Sequence, residues 1–171
     1  MTALQMRSLL MSNFIAEAEW THVCFETMWP GSRSIIADIL AVDGKGLIVE
    51  IEVKVSLSDL KADAKKELKH ERFRQMLNGE DLHPSIPARL FYAVPAELAS
   101  EAAKIVKELF PYAGVLSVGY ARRASGFAKI KRGANQLHWM LPQPPDLLYL
   151  QKAATRTLAR AYEVLTLIKS R

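Results

Sequence analysis

One ten-residue stretch constrains this chain more than any other: Gly46-Leu-Ile-Val-Glu-Ile-Glu-Val-Lys-Val55. Its β-branched content predicts a strand. Side chains alternate faces along a strand. Leu47, Val49, Ile51, Val53 and Val55 therefore share one face, fit for a core, while Ile48, Glu50, Glu52 and Lys54 share the other. Ionised side chains are rarely buried without partners, because desolvation costs several kcal/mol per ion. Two neighbouring carboxylates also repel each other. A solvated strand face with Glu–Lys pairing accommodates this pattern, and so does a divalent cation held between the carboxylates.

The preceding apolar segment, Ile35-Ile-Ala-Asp-Ile-Leu-Ala-Val42, carries one further carboxylate, Asp38, a residue type disfavoured in strands. Asp43-Gly44 between the two segments is a hairpin signal. Hairpin register then brings Asp38 beside Glu52 and Lys54. Such a set suits phosphodiester hydrolysis. Asp38 and Glu52 are expected to hold Mg²⁺ (Mn²⁺ substituting) through hard oxygen ligands, with the main-chain carbonyl of Val53 as another. The metal polarises the phosphate and lowers the pKa of a bound water. Lys54 orients that water and offsets developing charge. Glu50 either touches a second metal or pairs with Lys54.

Along the rest of the chain, Met6, Leu10 and Phe14 recur every four positions and predict a helix from Leu4 to about Trp20. Strands are expected over His22 to Met28 and Ser34 to Val42. Ser56 caps a helix running to about Met76, with Asn78-Gly79 after it. A short strand, Arg89 to Val94, precedes a helix from Ala96 to Phe110. Strands Gly114 to Tyr120 and Phe127 to Ile130 follow. Pro142, Pro144 and Pro145 mark a linker, and Asp146 caps a long C-terminal helix reaching Ile168. The predicted class is α/β, a mixed sheet with helices on both faces. Residues 1–141 form the domain, and 142–171 form the linker and a helix that packs on it or on a second copy as a homodimer.

Asp38, then Glu50-Ile-Glu52-Val-Lys54 and a helix, resembles the PD-(D/E)XK nuclease superfamily, and more narrowly the bacterial DNA-repair proteins of the MmcB type. The narrower likeness rests on Ala37-Asp38, Glu52-Val-Lys54, Ser56, Asp59, Asp63, Lys66 and Phe91-Tyr-Ala-Val-Pro95, and covers about residues 22 to 120. Ala37 stands where the motif name has Pro, and Arg33 lies five residues before Asp38. The resemblance implies a restriction-endonuclease-like sheet and a Mg²⁺-dependent deoxyribonuclease of repair, recombination or mobile-element processing. In related nucleases a first-helix Glu often adds a carboxylate; here Glu26, on the strand before Asp38, or Glu17 or Glu19 on the first helix, either does so or is structural.

Other residues support these expectations. Ser56, Asp59, Asp63 and Lys66 fall on one helical face, where Asp63 and Lys66 brace the site, contact a phosphate or form an ordinary surface pair. His70, after Lys69 near a basic helix end, is expected to be solvated or helix-terminal rather than catalytic. Between Ala121 and Pro145 there is no acidic residue, and Arg122, Arg123, Lys129, Lys131 and Arg132 match phosphate binding. Phe127 and Trp139 either stack on bases or pack. The formal charge of +5 favours an anionic partner, with DNA the first candidate. The single cysteine, Cys24, excludes an intramolecular disulfide and a thiolate zinc site and fits a reducing cytoplasm. No apolar run approaches the roughly 18 residues of a membrane span. The readings that compete with a nuclease are a non-cleaving nucleic-acid-binding module that kept the fold, and an accessory subunit.

Overall fold

The computed structural model describes residues 1–16, 20–30, 34–43, 46–80, 87–120 and 126–133. Its elements are α1 (Ala3–Ala16), β1 (Trp20–Met28), β2 (Ile36–Asp43), β3 (Ile48–Val53), α2 (Leu57–Ala62), a 3-10 turn (Asp63–Lys65) and α3 (Glu67–Leu77). They continue as β4 (Arg89–Pro95), α4 (Ala99–Leu109), β5 (Gly114–Tyr120) and β6 (Gly126–Arg132). The predicted C-terminal helix and the linker before it lie outside the described residues.

Among the described residues the strands form one six-stranded sheet in chain order, β1 to β6. β1, β2 and β3 pair antiparallel, β3, β4 and β5 run parallel, and β6 returns antiparallel to β5. The chain is thus mixed α/β, as its alternating pattern predicts. Between β2 and β3 the turn is closed by Asp43, whose backbone exchanges hydrogen bonds with Leu47 and Gly46 and whose Oδ1 accepts the Leu47 N–H at 3.0 Å. Parallel β4 lies inside the sheet, and Leu90 through Pro95 are buried without alternation, as expected for a strand covered on both faces.

The two faces carry two cores. On one, Met6 and Leu10 of α1 pack over Ile39, Val49, Ile51, Val53, Phe91, Ala93, Leu116 and Val118. The other is the larger, where Leu60, Phe73, Met76, Ala102, Val106 and Phe110 from the crossover segments meet Leu40, Ile48, Leu90, Tyr92 and Val115. Cys24 is buried in this second core as a small apolar side chain. The odd-numbered residues of β3 face α1, and Glu50 and Glu52 face α3.

Two irregularities matter. β1, the outer strand of the described sheet, shifts register between Thr21 and Cys24. Further along, Glu26 adopts a left-handed backbone, φ 47°, which is uncommon away from glycine, and the Thr27 hydroxyl donates to the Phe25 carbonyl across that kink at 2.9 Å. The second irregularity is in the helix after β3. Instead of running unbroken to Met76, it breaks at Lys66, φ −80°, ψ 62°, where α3 begins.

Candidate functional site: a buried charge cluster behind the third strand

The charged face of β3 is not solvated. Glu50, Glu52 and Lys54 are 0%, 2% and 5% exposed, and Asp63, Lys69 and His70 are buried with them. The break at Lys66 assembles this group, because it lets the 3-10 turn present Asp63 while α3 swings Lys69 and His70 over β3. Ser56 opens the segment by accepting the Asp59 N–H at 3.1 Å, the expected cap.

The cluster is densely paired. Lys69 Nζ lies 2.7 Å from Glu52 Oε1 and 2.8 Å from Glu50 Oε1. The Glu50 contact is an ion pair without hydrogen-bond alignment. Trp29 Nε1 donates to the other Glu50 oxygen at 3.1 Å. Glu52 Oε2 faces Lys66 at 3.2 Å and Lys54 at 3.5 Å. Asp63 is the hub. Its Oδ1 receives Lys54 at 2.6 Å and Lys66 at 2.9 Å, and its Oδ2 receives the Tyr92 hydroxyl at 2.8 Å. His70 bridges the Tyr112 hydroxyl, at 2.7 Å, and the Asp63 carbonyl, at 2.9 Å. The expectation of a solvated His70 is therefore corrected: α3 turns it into the larger core, against Phe110 and Tyr112. Asp63 and Lys66 do form the i, i+3 pair, but Asp63 is buried and braces Lys54.

This environment splits the two glutamates. Burial pushes the Glu50 carboxyl up to about 8, against the pull of Lys69 and with a further push from Glu52. Burial also opposes ionisation of Glu52, yet Lys69 and Lys66 outweigh it and hold this carboxyl at about 2. Asp63 is held below its ordinary value in spite of burial, by hydrogen bonding with His70, the charge of Lys69 and the bonds from Lys54 and Lys66. Burial and the Asp63 carboxylate raise Tyr92. Burial alone would depress Lys69, but Glu50, Glu52 and Asp63 keep its ammonium above the usual lysine value.

Asp38 does not join this cluster, which corrects the expected grouping with Glu52 and Lys54. The Ile39–Ile51 pairing does bring that end of β2 alongside β3. However, the Asp38 carboxylate turns toward the α1 face. Its Oδ1 receives Arg7 at 2.7 Å and its Oδ2 receives the Val53 N–H at 2.8 Å. The physical reason is local: Val53 needs an acceptor where the β2–β3 ladder stops, and Arg7 on α1 needs a counter-charge. Arg7 also binds Glu26 at 2.6 Å, leaving that carboxylate 56% exposed and away from Glu50 and Glu52.

The same contacts bear on the expected Mg²⁺ ligands. Both Asp38 oxygens serve donors, and among the described residues no group of three acidic, His or Cys side chains is placed to hold a metal ion. In the cluster three ammoniums, those of Lys54, Lys66 and Lys69, face the carboxyl groups of Glu50, Glu52 and Asp63, so no surplus negative charge remains for a divalent cation. Glu50, Glu52 and the Val53 carbonyl thus do not fit Mg²⁺ in this arrangement.

Of the predicted phosphate-binding residues, Lys129, Lys131 and Arg132 belong to β6, with Lys129 opposite Ser117 of β5. Arg122 and Arg123 lie outside the described residues, as do Glu17, Glu19, Arg33 and Trp139. The cluster residues to which the sequence assigns no role are Trp29, Tyr112 and above all Lys69, while Tyr92 enters only as part of Phe91-Tyr-Ala-Val-Pro95. Among the described residues no helix is long and apolar enough to cross a membrane.

No family model matches the chain, and no curated protein does. Among solved structures it is similar to the SPO1766 protein of unknown function from Silicibacter pomeroyi, with 20% identity over 96% of this chain and 88% of that one, and a TM-score of 0.50. At that identity the likeness concerns the fold alone.

Proposed function

We propose that this chain is a nucleic-acid-binding domain on a restriction-endonuclease-like frame, whose acid–base cluster holds the fold together and does not cut phosphodiester bonds. The observation that carries the reading is that Asp38 and Glu52 are engaged by different partners: one carboxylate is spent on Arg7 and a backbone amide, the other on three lysines. A hydrolytic centre needs the two on one ion. The mixed sheet with helices on both faces supports the frame. The net charge of +5 and the acid-free stretch holding Arg122, Arg123, Lys129, Lys131 and Arg132 support DNA as the partner.

A second reading, a Mg²⁺- or Mn²⁺-dependent deoxyribonuclease of DNA repair or mobile-element processing, is favoured by one contact. Asp38 grips the amide of Val53, the residue between Glu52 and Lys54, so the three motif residues remain one peptide apart. One assay separates the two. Full-length protein is mixed with labelled single-stranded, duplex, flap and branched DNA, with Mg²⁺ or Mn²⁺, and binding and cleavage are followed together. Salt-sensitive binding with intact DNA is the expected result. Cleavage that disappears in Lys54→Ala while binding persists would replace the first reading with the second.

A further inference from the structure

The sequence places a cation between the carboxylates of β3, and the structure supplies one from within the chain. Lys69 Nζ sits between Glu50 and Glu52, within 2.8 Å of an oxygen of each, and the residue is 3% exposed. A divalent ion bridging these carboxylates would need oxygen ligands at about 2.0–2.6 Å in the space this ammonium fills. Expelling Lys69 would strand an ammonium in the core, where an unpaired charge is strongly disfavoured. Lys66 is more easily displaced, being half exposed, but its departure leaves Glu52 and Asp63 still shared with Lys54. In the intact chain, then, expelling Lys69 is costly and displacing Lys66 leaves its carboxylates paired, so neither route frees a seat of the kind a Mg²⁺ ion takes.

We infer that Lys69 is a built-in replacement for a divalent cation, and that it makes the paired glutamates of β3 independent of metal. The inference shares with the proposed function the absence of a hydrolytic ion, but it does not depend on nucleic-acid binding. Its electrostatic basis is consistent with the raised Lys69 and the split between Glu50 and Glu52.

The test compares full-length wild type with Lys69→Ala and Lys69→Met. Each is stripped with a chelator and titrated with Mn²⁺ by electron paramagnetic resonance, and thermal unfolding is followed with and without Mg²⁺ or Mn²⁺. Wild type is expected to take up no stoichiometric Mn²⁺ and to melt at the same temperature under both conditions. Lys69→Ala opens a gap between two carboxylates; it is expected to melt lower and to regain part of the loss on adding metal. Lys69→Met fills that gap and is expected to melt lower without recovery. Stoichiometric Mn²⁺ binding by wild type that vanishes in Glu52→Gln overturns the inference, as does a well-folded Lys69→Ala that gains nothing from metal. Should Lys69→Ala fail to fold, the wild-type titration still decides. Loss of DNA binding would sink only the proposed function, and Mn²⁺ uptake without cleavage would sink only this inference.

Discussion

Asp63 concentrates the physics of the cluster in one side chain. It accepts from two lysines and a tyrosine while its own carbonyl engages His70. Removing one such donor leaves a buried acceptor short of a partner, which costs about 1–3 kcal/mol. Tyr92→Phe is therefore expected to destabilise by that amount in urea denaturation, with an unchanged m-value. Glu50 and Glu52 make opposite contributions to the pH dependence. Glu50 is raised from 4.5 to about 8, so the folded chain holds a proton that the unfolded chain has released, and its contribution declines as pH rises through that window. Glu52 is lowered to about 2, so its contribution is present above 4.5 and is lost as pH falls toward 2. Glu50→Gln is thus expected to flatten the decline in unfolding free energy between pH 4.5 and 8, measured by denaturant titration at successive pH values, while leaving the acid limb in place. The alternation along β3 made its charged face legible from sequence. The partners of that face were not, because Trp29, Lys69, Tyr92 and Tyr112 reach it from other elements, and no periodicity encodes such contacts.

At the scale of elements, strands were the readable part. β-branched runs and the Asp43-Gly44 turn located β2 and β3, and the unbroken apolar run of β4 matched a strand covered on both sides. The break between α2 and α3 was not readable. The segment Ala64-Lys65-Lys66 holds no proline or glycine and continues a helical pattern. What bends the chain there is the gain from bringing Asp63 and Lys69 onto the charged face of β3, a tertiary effect. The face assigned to Asp38 failed for a similar reason: register fixed its neighbours, but Arg7 on α1 drew its carboxylate away. The cap of α2 stands apart from these long-range contacts. Ser56→Ala removes the acceptor of the Asp59 N–H and is expected to cost about 1 kcal/mol in thermal or chemical unfolding, with the cluster otherwise intact.

For the whole molecule, excess positive charge is the property that reaches furthest. If the five basic residues from Arg122 to Arg132 each meet one phosphate, raising salt from about 50 to 200 mM is expected to weaken DNA binding on the order of 10²- to 10³-fold. Fluorescence anisotropy across a salt series checks this, and Lys129→Glu with Lys131→Glu is expected to abolish binding without changing the melting temperature. The sheet also has a boundary to defend. Among the described strands the outer one, β1, carries a register shift and then the left-handed turn at Glu26, so its outward edge is not a straight row. A neighbouring copy seeking to extend the sheet would find only short stretches to zip against. The kinked margin thus works against sideways polymerisation, and helps a chain that is half apolar to stay dispersed when crowded.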